Sequence, residues 1–287
     1  MKGILLAAGT GTRLSPLTIA TSKHLLPVHD KPMIYYPIST LILAGVKELA
    51  VVVNPEHLAS YKRLLGSGHQ WGISITYVEQ DSANGLPDAI AKAGNFLEGQ
   101  GCAVALGDNI FHGAGMGTTL KSVGRKSGAV IFAHKVSNPR DYGVVELDEA
   151  GAPLRLTEKP SDPASNLAIP GLYFFDASVI DRVSKLKPSS RDELEITDLL
   201  ASYLKEGLLG VRQIERGTAW FDAGTVDSLS RATEFVRVIQ ERQGTLIGSP
   251  DEAAWRVGNI SGQTLEETAQ QSRSSRYGEL LISALRS

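Results

Sequence analysis

The chain has 287 residues, 42% of them hydrophobic and 21% charged, with a formal net charge of −2. That length supports a large core, and the near-neutral charge argues against a nucleic acid or a membrane surface as partner. The one cysteine, Cys102, excludes an internal disulfide and a cysteine metal cluster, and no apolar run is long enough for a membrane span or a signal-peptide core, so a cytoplasmic location is expected.

In chain order, the first half alternates between two patterns. Residues 4–7 read as a buried strand, and residues 32–44 have helical spacing that stops at Gly45, a capping residue. A strand over 49–53 precedes a helix over 55–65. Residues 73–79 alternate as a strand does, and 85–96 read as a helix with Pro87 in its first turn, where proline is tolerated. Another buried strand covers 103–106, in which Cys102 and its neighbours suit a core thiol better than a nucleophile. Strands that are apolar throughout and alternate with helices predict a mostly parallel sheet covered on both faces.

From Gly128 the texture changes. Strands over 129–136, 143–147, 154–158 and 168–175 follow one another with short turns. Helices over 177–185 and 195–206, a strand over 208–214 and a helix over 227–242 complete this half. Beyond about residue 245 the chain is polar, with helical segments and no strong motif. A boundary there divides it into 1–244 and 245–287.

Ligands of open α/β sheets gather at the carboxyl ends of the strands. After the first strand comes Gly9-Thr10-Gly11-Thr12-Arg13; after residue 79 comes a loop from Gln80 to Gly85; after residue 106 comes Gly107-Asp108-Asn109. Glycines let backbone N–H groups converge on phosphate oxygens, and Arg13 can add a bidentate contact. A tight strand–helix turn would also explain them. Leu14 stands where the dinucleotide fingerprint needs its third glycine, and the loop lacks the lysine and hydroxyl of a Walker A motif. Lys23, just ahead of the apolar Leu25-Leu26-Pro27-Val28, is either a solvated lysine or one held at the core edge toward the loop.

Asp108, directly after a buried strand, is placed to hold a hard cation such as Mg²⁺, or to cap a turn with Asn109. Asp222 in "AWFDAGT" would supply a second carboxylate, since Thr225 is the better cap for the helix that follows. Lys159, beside Glu158 in "TEKP", is either a contact for a second phosphate or half of a surface charge pair. No histidine spacing suggests zinc. Together these residues outline an electropositive, Mg²⁺-dependent site for a nucleotide and a second phosphorylated molecule. A phosphate monoester has its second pKa near ~6, so a sugar phosphate is already a dianionic nucleophile at neutral pH. Its transfer chemistry needs charge neutralisation and in-line placement rather than a general base.

The stretches "GTGTRLSPLT", "SKHLLPVHDKPMIYYPISTLILAGV", "GDNIF", "YGVVE", "EKP", "GLYFFD", "ELEITD" and "AWFDAGT" run in this order over residues 1–243. In these the chain resembles the sugar-phosphate nucleotidylyltransferases, and "KPMIYYPIS" with "ELEITD" resembles the branch that uses dTTP. The tail is similar more weakly, through "SPDEAAWR" and "RYGELL". The resemblance implies a Rossmann-like, doubly wound mixed sheet with an inserted sugar-binding part and a helical C-terminal region. It implies Mg²⁺-dependent transfer from dTTP to α-glucose 1-phosphate, giving dTDP-glucose and pyrophosphate by direct attack on the α-phosphorus. Leu6, Gly9, Gly11, Thr12, Arg13, Gln80, Gly85 and Asp108 would surround the nucleotide. Asn109, Gly143, Glu158, Lys159 and Ile169 would take the sugar phosphate. Arg13, Lys23, Asp108 and Lys159 would carry the catalysis, Asp108 and Asp222 the metal. A homotetramer is also implied.

The chain departs from that family's pattern at Ala8, at His24, at Pro87-Asp88 and at Pro170, where glycine, glutamine, alanine-glutamine and threonine are usual. Ala8 adds a methyl where the backbone would approach the nucleotide, and the last two changes border the base and sugar pockets. The alternatives are therefore a uridylyltransferase, an adenylyltransferase, or use of another hexose 1-phosphate. A non-catalytic regulator that binds a sugar nucleotide is a reading from a different class. A dinucleotide-dependent oxidoreductase is disfavoured by Leu14 and by Asn54 after the second strand.

Overall fold

The computed structural model describes residues 1–82, 84–123 and 127–286; Ala83, in the loop singled out above, lies outside them. The first half contains β1 (Lys2–Ala7), a small hairpin of β2 (Pro27–Val28) and β3 (Lys31–Pro32), α1 (Tyr35–Leu43), β4 (Glu48–Val53), α2 (Leu58–Leu65), β5 (Ser74–Glu79), α3 (Leu86–Lys92), α4 (Gly94–Leu97), β6 (Cys102–Leu106), β7 (Asn109–His112) and α5 (Met116–Val123). Then follow β8 (Ala129–Lys135), β9 (Gly143–Leu147), β10 (Pro153–Glu158), β11 (Leu167–Ala168), β12 (Leu172–Phe175), α6 (Val179–Val183), α7 (Ile196–Lys205), β13 (Leu209–Gln213), β14 (Ala219–Asp222) and α8 (Val226–Gln243). The tail holds α9 (Pro250–Arg256), α10 (Gly262–Gln271) and α11 (Arg276–Ala284).

One ten-stranded mixed sheet organises the chain, in the order β10-β9-β11-β8-β12-β6-β1-β4-β5, with β13 along the other edge of β8. Strands β6, β1, β4 and β5 are mutually parallel, and β12 joins β6 antiparallel. Apolar side chains on the parallel strands alternate between two cores. Leu5, Val51 and Val53 pack with Ile38 and Leu41 of α1, whereas Ile4, Ala50 and Val52 pack with Ile90 of α3 and Leu199 and Tyr203 of α7. Burial on both faces explains why these strands read as apolar throughout. Cys102 belongs to the second core, and burial pushes its thiol up to about 12, as suits a packing group.

Three expectations need correction, and one pair of strands was not foreseen. The helix expected from residue 32 begins at Tyr35, because Lys31-Pro32 pair with Pro27-Val28 in the β2–β3 hairpin. The helix over 85–96 breaks at Ala93 into α3 and α4. The strand over 168–175 is two strands, interrupted at Pro170-Gly171, since proline has no N–H for the ladder. Short β7 and β14, unrecognised in the sequence, pair antiparallel and place Asp222 opposite Asn109.

The tail helices extend the first core. Ala253 and Ala254 of α9 belong to the cluster that includes Leu5 and Ile38, and Trp71 Nε1 donates to Asp251 Oδ1 at 3.1 Å. Tyr277 donates to Asp251 Oδ2 at 2.5 Å and shares a 2.6 Å hydrogen bond with Ser249. Among the described residues no helix is long and apolar enough to cross a membrane.

Candidate active site

The carboxyl ends of β1, β5 and β6 open onto a cleft of about 330 Å³ lined by Leu6, Gly9, Arg13, Lys23, Gln80, Gly85, Asp108 and Asp222. A second chamber of about 160 Å³ adjoins it, lined by Gly143, Ile169, Tyr173, Thr197 and Trp220. Arg13, Asn109, Glu158, Lys159 and Asp222 line both. The residues singled out in the sequence thus converge on one double chamber, with two exceptions. Gly11 and Thr12 stand outside the lining. Gly11 has φ 67, and a Cβ there would come within 3.0 Å of Lys23 Cβ, so its glycine lets the loop fold over Lys23. Thr12 opens the short helical turn that carries Arg13.

Lys23 donates to Asp108 Oδ2 at 2.5 Å, and both side chains are largely buried. Burial is the largest single influence and opposes the Asp108 charge, but the Lys23 ammonium, hydrogen bonds from Lys23 and from Asn109 Nδ2 (3.0 Å) and the other nearby groups together outweigh it, so the carboxyl stays below its usual range. Asn109 is fully engaged: its Oδ1 accepts from Trp220 Nε1 at 2.7 Å and from the Gly171 backbone at 2.9 Å. From the start of β7 it ties β14 to the turn that leads into β12, beside the carboxylate.

Asp222 behaves in the opposite way. Burial, and next the Asp108 charge, raise its carboxyl to about 6, against the pull of Lys23 and Arg13. The backbone N–H of Gly224 donates to Asp222 Oδ1 at 3.1 Å. The helix after it is capped by a reciprocal Thr225–Ser228 box, as the sequence suggested, so Asp222 is not needed as a cap.

His24, also in the cleft lining, is fully buried, with Nδ1 3.1 Å from the Tyr61 hydroxyl and 3.2 Å from that of Ser22. Burial, and next the neighbouring Lys23, lower it to about 3, so it is a neutral imidazole at physiological pH. Lys159 directly follows β10 with φ 40, a conformation rare for a residue with a side chain, and its ammonium lies 3.9 Å from Glu158.

The sequence reading missed the acidic and basic side chains of the 191–195 segment. Arg191 donates to Glu195 through Nε (3.1 Å) and Nη2 (2.7 Å) and lies 3.7 Å from Glu158. The only signal for Glu193 and Glu195 was "ELEITD" as a similarity motif, and Arg191 lies outside it. With them, four cationic side chains (Arg13, Lys23, Lys159, Arg191) face five carboxylates (Asp108, Glu158, Glu193, Glu195, Asp222). The cleft is therefore not electropositive as expected: each cluster of positive charge has been given acidic partners.

The family described as nucleotidyl transferase matches residues 2–238. A glucose-1-phosphate thymidylyltransferase of Mycolicibacterium smegmatis is 48% identical over 285 residues, covering 99% of both chains. One from Neisseria meningitidis serogroup A is 46% identical over 287 residues and the full length of both. Among solved structures, a Bacillus anthracis chain provisionally named glucose-1-phosphate thymidylyltransferase, in complex with a sucrose, superposes with a TM-score of 0.76 at 38% identity, covering 83% of this chain and 95% of that one. A UDP-glucose pyrophosphorylase complexed with UDP-glucose gives 0.73 at 26% identity, covering 83% and 98%. On sequence and fold, the chain belongs to the nucleotidyl transferase family.

Proposed function

We propose that this chain transfers the thymidylyl group of dTTP to α-glucose 1-phosphate. The observation that carries the reading is the double chamber, whose two halves share a charged wall of Arg13, Glu158, Lys159 and Asp222. Such a wall suits a reaction that joins two phosphorylated molecules. The nucleotide takes the larger chamber, its triphosphate against Gly9, Arg13 and Lys23 and its base toward Gln80 and Gly85. The sugar takes the smaller one, near Gly143 and Ile169, with Glu158 accepting from its hydroxyls and Lys159 holding its phosphate.

The sugar phosphate oxygen forms a bond to the α-phosphorus as the bond to the β-phosphate bridging oxygen breaks, and pyrophosphate leaves with that electron pair. No proton needs removal, because the nucleophile is already ionised. Arg13 and Lys159 offset the repulsion between the two anions and hold them in line.

Asp108 and Asp222 are the residues that would hold Mg²⁺. The donor set fits: two hard oxygen donors are enough for an ion that takes its remaining ligands from water and substrate phosphates. The fit agrees with the acidic excess of the lining and with the upward push that Asp108 exerts on Asp222. Among the described residues there is no cluster of three or more His, Cys, Asp or Glu that would make a closed metal cage. When bound, Mg²⁺ would supply charge neutralisation at the triphosphate. Lys23, paired with Asp108, keeps that carboxylate ionised and aimed into the cleft.

Residues 1–244 form the catalytic unit in this reading, and 245–287 a helical extension that buttresses α1. Assembly as a cytoplasmic homotetramer goes with it. The test is pyrophosphate release with glucose 1-phosphate, Mg²⁺ and each of dTTP, UTP, ATP, CTP and GTP. The fastest release is expected with dTTP. A UTP rate equal to it would favour the uridylyl alternative, because contacts through Gln80 and Gly85 leave the thymine methyl unread, and a methyl is worth only roughly 1–3 kcal/mol. No release with any nucleotide, repeated with galactose and glucosamine 1-phosphates, would overturn the reading in favour of a binding-only protein.

A further inference from the structure

Gln80 is buried at the end of β5, and its backbone N–H donates to Val53 O at 2.9 Å, extending the sheet by one rung. Its side-chain Nε2 donates to Asp88 Oδ2 at 2.7 Å. Asp88 lies in the first turn of α3, at the position where the family's pattern has glutamine. The chemistry of this pair is asymmetric. A carboxylate only accepts, so the Gln80 carboxamide must turn its NH₂ toward Asp88. Its Oε1 is then left for the cleft, and among the described residues no donor meets it.

We propose that Asp88 is a positioning residue that fixes the Gln80 carboxamide so that the cleft presents an acceptor, and thereby selects a base with an imide N–H over cytosine. The inference rests on the reading that Gln80 faces the base. Thymine and uracil carry a proton on N3 and donate to Oε1. Cytosine has a lone pair on N3, which would meet Oε1 acceptor to acceptor. A glutamine or asparagine at position 88 could turn either end toward Gln80, and the pair could flip together. An aspartate removes that freedom. The departure from the family's pattern thus acts as a lock on base choice, placed one residue away from any contact with the nucleotide.

The test compares wild type, Asp88→Asn and Gln80→Ala by kcat/KM for dTTP, UTP and CTP with glucose 1-phosphate, and by Kd for dTMP and dCMP. In Asp88→Asn the dTTP:CTP ratio is expected to fall about tenfold or more, as befits a lost donor–acceptor match, while the dTTP:UTP ratio stays unchanged. Equal losses for dTTP and CTP would mean a merely structural residue and would overturn the proposal. Gln80→Ala separates the two layers. If it leaves the dTTP:CTP ratio at wild type, Gln80 does not read the base and the underlying reading fails. If it collapses the ratio while Asp88→Asn does not, only the role of Asp88 fails. A measurement on wild type guards against misfolded variants. The Gln80 side-chain amide signals, assigned by their loss in Gln80→Ala, are expected to show one proton shifted downfield and slow to exchange. Free-amide shifts there would overturn the proposal independently.

Discussion

The two walls of the cleft are built differently. On the nucleotide side, Gly9, Gln80 and Asp108 follow within two residues of the ends of the parallel strands β1, β5 and β6, Lys23 reaches Asp108 from the turn before β2, and the contacts of Lys23, Gln80 and Asp108 are short and enclosed. On the sugar side, Glu158 and Lys159 reach in from the end of β10, Arg191 approaches Glu158 from the 189–195 turn at the edge of the larger chamber, and all three stay partly exposed. The first wall is fixed by the sheet and the second by long side chains. A parallel strand end offers backbone and short side chains at set positions, which suits the invariant geometry of a triphosphate. Long, hydrated side chains suit hydroxyls and a phosphate that must enter and leave.

If that contrast is right, damage to the first wall should strike turnover and damage to the second should strike sugar affinity. The largest effect is expected from Asp108→Asn: a fall in kcat/KM of about 10³-fold or more, with an unchanged circular dichroism spectrum. Activity near wild type at saturating Mg²⁺ would dissolve the contrast. Lys23→Ala follows, with about 10²-fold lost from kcat, because it frees a buried carboxylate of its counter-charge as well as leaving the triphosphate. Lys159→Ala is expected to raise KM for glucose 1-phosphate about tenfold or more while leaving KM for dTTP within about twofold. An equal rise in both would place Lys159 on the nucleotide side.

Asp222 sharpens the comparison through stability. Its folded-state carboxyl stands near 6, above the ordinary value of 3.8. Between those values the folded protein keeps a proton that the unfolded chain has lost, so this group weakens the metal-free fold as pH rises through that window. Asp222→Asn should therefore lower turnover, by less than Asp108→Asn does, yet raise Tm by about 2–6 °C at pH 7.5 without Mg²⁺. The gain should shrink by pH 4. A loss of Tm at pH 7.5 would show that the carboxylate stabilises its surroundings. The smallest change is expected from Tyr277→Phe, far from both walls. It removes the hydrogen bonds to Asp251 and Ser249 and should cost about 1–3 kcal/mol in urea unfolding, with kcat unaltered.

Much of the first wall was legible in the sequence because its signals are local. An apolar strand followed at once by glycines or an aspartate, as at Gly9 and Asp108, announces a strand end with a function. The second wall was harder to read. Glu158 and Lys159 could be singled out, but taken alone their turn read better as a surface charge pair. Arg191 follows no strand at all, and its meaning depends on Glu195 and Glu158 meeting it in space. The β7–β14 ribbon joins residues 109–112 to 219–222, two four-residue segments too short for a periodicity argument. The shifted start of α1 has a related origin: the Lys31-Pro32 pairing that displaces it is a local hairpin of two-residue strands, too short to show a period, whereas Gly45 at the other end is a recognisable stop and was read correctly.

The seating of α9 on α1 has a consequence for how the molecule is made. Ala253, Ala254 and Asp251 complete a core whose other members include Leu5, Ile38 and Trp71. A nascent chain that has already emerged through β5 still has one flank of α1 bare. That flank stays bare while the sugar-binding strands and α8 are being synthesised. Chains stalled before residue 250 would carry a nearly finished cleft on an unsealed core, and it is at this stage, rather than in the finished protein, that self-association and proteolysis have their opening.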